Sequence, residues 1–154
     1  MTTLVEHSQS LIAYTIWADE RILTAADGIS DEQWSQVRMQ FGHMLGTQRY
    51  WYANWTHGAF EEPELPSVAV ARDAYAASHA VLRAFAGRLT QAEWDRAEPW
   101  WKQWGYDQAM PLGESMTQLF YHGVQHRSEV AVVLSLWDHS PGDVDYLTFL
   151  QAPG

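Results

Sequence analysis

An all-α fold, most simply a four-helix bundle, follows from three observations. Four long segments carry apolar residues at helical spacing, none alternates convincingly with period two, and the breaks between them hold glycine or proline. At 154 residues the chain has the length of one domain, so a single domain over 1–154 is expected.

The first segment spans about Thr2 to Ala26, with Leu4, Leu11, Ala18, Ile22 and Ala25 along one stripe and Gly28 as a stop. Ser30, Asp31 and Glu32 then look like the cap of a short turn, SDEQW. A second helix is expected from about Val37 to His57, ending at Gly58. The stretch EEPELPS, residues 61–67, holds two prolines and three glutamates and reads as an exposed connection.

A third helix, about Val68 to Leu89, repeats Val68, Ala71, Tyr75, Leu82, Ala86 and Leu89 on its core face. The fourth starts near Pro111 to Glu114, where proline suits a helix start, and VAVVLSLW carries it to Trp137. Between them EPWWKQWGYDQAM has neither period and forms a long aromatic-rich connection. The tail SPGDVDYLTFL makes a turn and a short helix.

Composition narrows the function. Nine Lys and Arg against nineteen Asp and Glu give a formal charge of −10, which repels phosphate backbones, so no nucleic-acid partner is expected. No run approaches the roughly 18 apolar residues of a membrane span, and the first residues carry no basic-then-apolar leader; a cytoplasmic setting without membrane contact is the expectation. Cysteine is absent, which removes disulfides, thiolate nucleophiles and thiolate zinc sites together. Any thiol chemistry must therefore use an external thiol. Nine tryptophans suit a bundle core or a pocket wall, and an apolar face could also support a homodimer.

In LFYHGVQHRSEV, residues 119–130, His122 and His126 stand about 40° apart around a helix and about 6 Å apart along it. Leu119, Val130 and Val133 share their sector, while Gln125, Ser128 and Ser135 lie opposite, so the pair faces inward. Buried imidazoles need partners, either one shared metal ion or hydrogen bonds from neighbouring helices and water. In the second helix His43 sits between Gly42 and Gly46, where glycine costs up to about 1 kcal/mol relative to alanine and so implies a packing or access reason. His7 lies near the first stripe and His79 on the third, where a core histidine bonded across the bundle is the plainer reading. His57 and His139 fall at helix ends, where dipole interaction or exposure suffices.

The segments YTIWADERIL, HMLGTQRYW, PLGESMTQLFYHGVQHRSEVAVVL and SPGDVDYLTFL resemble, in order and separation, the DinB/YfiT-like metal-binding superfamily, which is unrelated to the polymerase of that name. The resemblance covers most of the chain and is strongest in its H…HxxxHR arrangement. It implies a bundle in up-down-down-up order and a metal held by His43, His122 and His126. Ser128 and Glu129 stand where the family often has glycine and glutamine, which alters charge near the metal.

Three imidazoles leave a position open for water or substrate, the pattern of a reactive site. Zinc or nickel is the expected divalent metal, although iron and cobalt also accept imidazole. Relatives that transfer low-molecular-weight thiols, or use them in isomerisation, imply an enzyme that adds an external thiol to a small-molecule electrophile. The alternatives are a hydrolase using metal-bound hydroxide, and a non-catalytic metal-binding stress or interaction protein whose open position His79 or Glu129 blocks.

Glu129 lies about 20° from His122 in projection and roughly 10 Å along the axis, so it could orient a ligand imidazole or act as a general base. Its plain alternative is a solvated or Arg127-paired carboxylate. Tyr50 and Asn54 extend the His43 side at one-turn intervals as pocket candidates, or as packing residues. Trp100, Trp101 and Trp104 could wall or cover the open position, or simply close the end of the bundle.

Overall fold

The computed structural model describes residues 2–152, apart from the side chain of Trp104, so the pocket role expected for that indole lies outside the described residues. Four long helices dominate: α1 (Leu4–Ala25), α2 (Asp31–Thr56), α3 (Val68–Ala86) and α5 (Leu112–Leu136). Two short ones, α4 (Gln91–Asp95) and α6 (Tyr146–Gln151), complete the all-α architecture.

Two starts are set by reciprocal capping, in which Thr3 pairs with Glu6 and Ser30 with Gln33. The second box corrects the sequence reading. SDEQW is not a separate turn but the first turn of α2, which begins six residues before the expected Val37 and buries Trp34. The start of α1 also differs, because Leu4 and His7 are exposed and the buried stripe takes hold only from Ser8.

Cross-helix pairs define the topology. Asp27 with Arg72 and Gln9 with Ala86 run α1 against α3. Tyr75 with Phe41 and Ser78 with Gln48 run α3 alongside α2. Trp55 with Ser115 and Trp51 with Gln118 run α2 against α5. With α1 up, the order is up-down-down-up, and α1 and α2 occupy opposite corners, each flanked by α3 and α5.

Parallel α2 and α3 need a return connection, and residues 57–67 provide it. Gly42 and Gly46 let this strap lie against α2: a Cβ on Gly46 would stand 3.3 Å from Glu62 Oε1, and one on Gly42 4.0 Å from the Pro63 carbonyl. The Trp34 indole donates to the Leu65 carbonyl at 3.0 Å, and Leu65 is buried. EEPELPS is thus exposed only in part. This close approach is the packing reason that the two glycines required.

The aromatic-rich connection is more ordered than expected. It holds a two-residue antiparallel ladder, β1 (Ala97–Glu98) with β2 (Met110–Pro111), and one 3₁₀ turn over Lys102–Trp104. Trp100 is buried, donates to the Met110 carbonyl at 2.7 Å and lies under the Arg96 guanidinium. So large a buried ring needs its N–H satisfied, and the short ladder keeps that acceptor in place.

The core divides into two apolar clusters, one around Ile22, Phe41, Leu45 and Leu134, the other around Ile16, Trp51, Leu82 and Leu119. Between them, in sequence along every long helix, stand buried polar residues. Asp19 accepts from Arg127 Nη1 at 2.8 Å and from Gln48 Nε2 at 2.5 Å, and meets His79 Nε2 at 3.2 Å. Ser78 donates to Gln48 Oε1 at 3.2 Å. Each long helix contributes to this layer, which ties their relative heights together.

Candidate metal centre

The layer fixes the rotation of α5. Arg127 is 1% exposed and packs over the Tyr14 ring, so its neighbour His126 must emerge about 100° around the helix, toward α2. His122 follows one turn away, and both are half-buried. Opposite them α2 presents His43, flanked by Gly42 and Gly46, on which the strap lies.

The three rings converge. Centroids lie 4.8 Å apart for His43–His122, 4.8 Å for His43–His126 and 4.5 Å for His122–His126. One nitrogen from each falls within 4.8 Å of the others. Two nitrogens on one ion stand at most about 4.2 Å apart, so the rings need draw together by only about half an ångström or somewhat more, within the range of side-chain rotation.

The donors suit an ion. His122 Nε2 is buried with no hydrogen-bond partner among the described residues, and an orphaned lone pair at such a site is costly. His126 Nδ1 lies 2.7 Å from Glu129 Oε2. That hydrogen bond holds the Glu129 carboxyl below its ordinary value, so it is ionised and can only accept. Nδ1 therefore carries the proton, which leaves Nε2 as the available donor of His126.

Desolvation, then the proximity of His126 and His43, lowers the His122 pKa from 6.5 to about 4. Desolvation and His126 also depress His43, against the upward pull of Glu62 and Glu129. Both rings are neutral at physiological pH, the form that binds metal. Three imidazole nitrogens without thiolate or carboxylate fit zinc, nickel, cobalt or iron rather than calcium or magnesium.

Two hollows flank the triad. A chamber of about 450 Å³ is lined by His43, His122, Tyr50, Trp51, Phe60, Trp101 and Glu62, among others. A wider groove of about 770 Å³ runs past His43, His126 and Glu129 beneath the strap. Tyr50 and Trp101 thus stand at the chamber, although the Tyr50 hydroxyl is spent on the Trp100 carbonyl at 2.7 Å. Asn54 does not line it. Its amide bonds the Tyr50 carbonyl, and the side chain lines a neighbouring cleft with His57 and Glu98.

Other sequence expectations change here. Arg127 does not pair with Glu129; it is committed to Asp19, and Glu129 to His126. His79 is a core histidine held by Asp19, as its plainer reading had it. Sequence reasoning missed Asp19, Gln48 and Glu62. A signal existed for the first, because a carboxylate beside Ala18 and one turn from Ile22 on an apolar stripe demands a buried partner. Burial pushes the Asp19 carboxyl upward, but Arg127 and His79 outweigh it and hold it below the ordinary range.

The chain belongs to the DinB family, whose model matches residues 1–153. No curated protein and no solved structure matches it. Among the described residues no helix is long and apolar enough to cross a membrane.

Proposed function

We propose that His43, His122 and His126 hold a divalent transition metal, zinc or nickel, in an enzyme that transfers an external low-molecular-weight thiol to a small electrophile. The observation that carries the reading is His122, whose Nε2 is buried and unpartnered, in a ring that converges with two further imidazoles beside an open chamber. A cation held there lowers the pKa of a bound thiol or water.

The chain's own residues supply the rest. Glu129 fixes the His126 tautomer; its lowered pKa makes it a weak proton acceptor near neutral pH, so orientation suits it better than general base catalysis. Tyr50, Trp51 and Trp101 limit water on one side of the triad. In the transfer the thiol loses its proton to solvent, sulfur forms a bond to the electrophilic carbon, and the leaving group departs with its electron pair. The absence of cysteine leaves the incoming thiol as the sole sulfhydryl. A cytoplasmic setting, where such thiols are abundant and reduced, belongs to the same reading.

The side chains considered for blocking the open position are engaged elsewhere, His79 by Asp19 and Glu129 by His126, which favours a reactive site over a closed one. The test pairs metal analysis of protein purified without added metal with turnover of thiol–electrophile panels. Metal near one equivalent and thiol-dependent turnover lost in His122→Ala are expected. Turnover without thiol would replace transfer by hydrolysis, and absence of both metal and turnover would overturn the reading.

A further inference from the structure

The chamber beside the triad has a composition that points to one ligand chemistry. Four aromatic rings run along it as a connected arc. Phe60 meets Tyr50 at 5.8 Å, Tyr50 meets Trp51 at 5.4 Å and Trp51 meets Trp101 at 5.5 Å, all tilted or edge-on. Tyr50, Phe60 and Trp101 are each at least partly exposed and so can meet a third group, whereas Trp51 is buried and stacks on Trp55. Among the described residues lining the chamber, Glu62 alone carries a formal charge; Thr47, Gln103 and Gln118 are neutral, and no lysine or arginine takes part.

Electron-rich faces with a single carboxylate and no competing cation are the surroundings that stabilise an organic ammonium. The carboxylate is also held in position. Gly46 is buried on α2, and a Cβ there would come within 3.3 Å of Glu62 Oε1, so the missing side chain is what allows the strap to bring this acid to the chamber. A neutral apolar guest would gain from the rings but would leave Glu62 to be desolvated without compensation.

We propose that this chamber binds the alkylammonium group of a small zwitterionic or cationic substrate, whose other end presents its donor atom to the three imidazoles. The proposal names the substrate class of the site described above and rests on that reading for the donor end only. Tyr50, Phe60 and Trp101 supply the open ring surface, buried Trp51 backs them, and Glu62 supplies the counter-charge. The positive charge of an ion on the triad then selects molecules that place an anionic or lone-pair donor between it and the ammonium.

The test uses choline and its uncharged isostere 3,3-dimethylbutan-1-ol, titrated by tryptophan fluorescence into metal-free and zinc-loaded protein. Preference for choline by about 3- to 30-fold is expected in the metal-free protein. Trp101→Leu, which keeps apolar bulk, and Glu62→Gln, on the exposed strap, should each remove most of that preference. The zinc affinity of Trp101→Leu should match wild type, showing that the site remains folded. Equal binding of the two probes, or a preference that survives both substitutions, overturns the proposal. Zinc affinity of the wild type separates this proposal from the one it accompanies: tight zinc without choline preference removes only the ammonium site, and choline preference without zinc removes only the metal chemistry.

Discussion

At the scale of single residues, Glu129 matters because its carboxylate contacts a ring of the triad. An ionised acceptor on Nδ1 fixes the ring and leaves the other nitrogen of His126 free to bind an ion. Glu129→Gln keeps an acceptor but removes the charge, and zinc affinity should fall about 10-fold or more. Competition with a chromophoric chelator measures it, and unchanged affinity with unchanged turnover would dismiss both orienting and basic roles. His122 and His126 were legible as a pair because four residues make nearly one turn. His43 was legible only through the resemblance, since nothing in its own segment shows which helix lies opposite.

Among the elements, α5 illustrates how a helix is set by what it buries. Gly123 lies one turn before Arg127, and a Cβ there would stand 2.7 Å from Nη1 and 3.1 Å from Cζ. The guanidinium folds back over this glycine to reach Asp19. Gly123→Ala forces the buried arginine to shift and should cost about 1–3 kcal/mol, even though alanine is the better helix former. Chemical denaturation reads the change; a stabilised variant would show that the arginine adapts freely. The long helices were readable from apolar spacing, because that period depends on local geometry alone. The strap was not: its path is decided by Leu65 beneath Trp34 and by Pro63 and Glu62 against two glycines, contacts between residues about 16 to 31 positions apart. The start of α2 was misplaced because the cap at Ser30 was visible but was assigned to a turn of its own, its reciprocal partner Gln33 going unrecognised.

For the whole molecule, the polar layer and the triad make stability depend on acid in two separate windows. In the metal-free protein His122 has a folded pKa of about 4 against an ordinary 6.5, so the unfolded chain takes up the proton first. Its contribution is complete above about pH 6.5 and is lost as pH falls toward 4. Asp19 is held below its ordinary value, so its contribution is intact above about 3.8 and disappears at lower pH as it protonates in the fold. Thermal unfolding across pH 7 to 3 should show a decline between 6.5 and 4, shallower in His122→Asn, and a steeper loss below. A flat profile down to pH 4 would contradict the first window. Asp19 signalled a buried partner by its place on an apolar stripe, but neither window could be read from the primary structure, because both come from groups brought together from helices far apart along the chain.

The triad joins the descending α2 to the ascending α5, at points about 80 positions apart in sequence. A cation shared by these rings would close that long stretch into a ring, as a crosslink does, shrinking the ensemble open to the denatured chain. For a polypeptide that owns no sulfur bridge, the ion would then serve as its reversible staple, and chelation would loosen the scaffold as well as silence the chemistry.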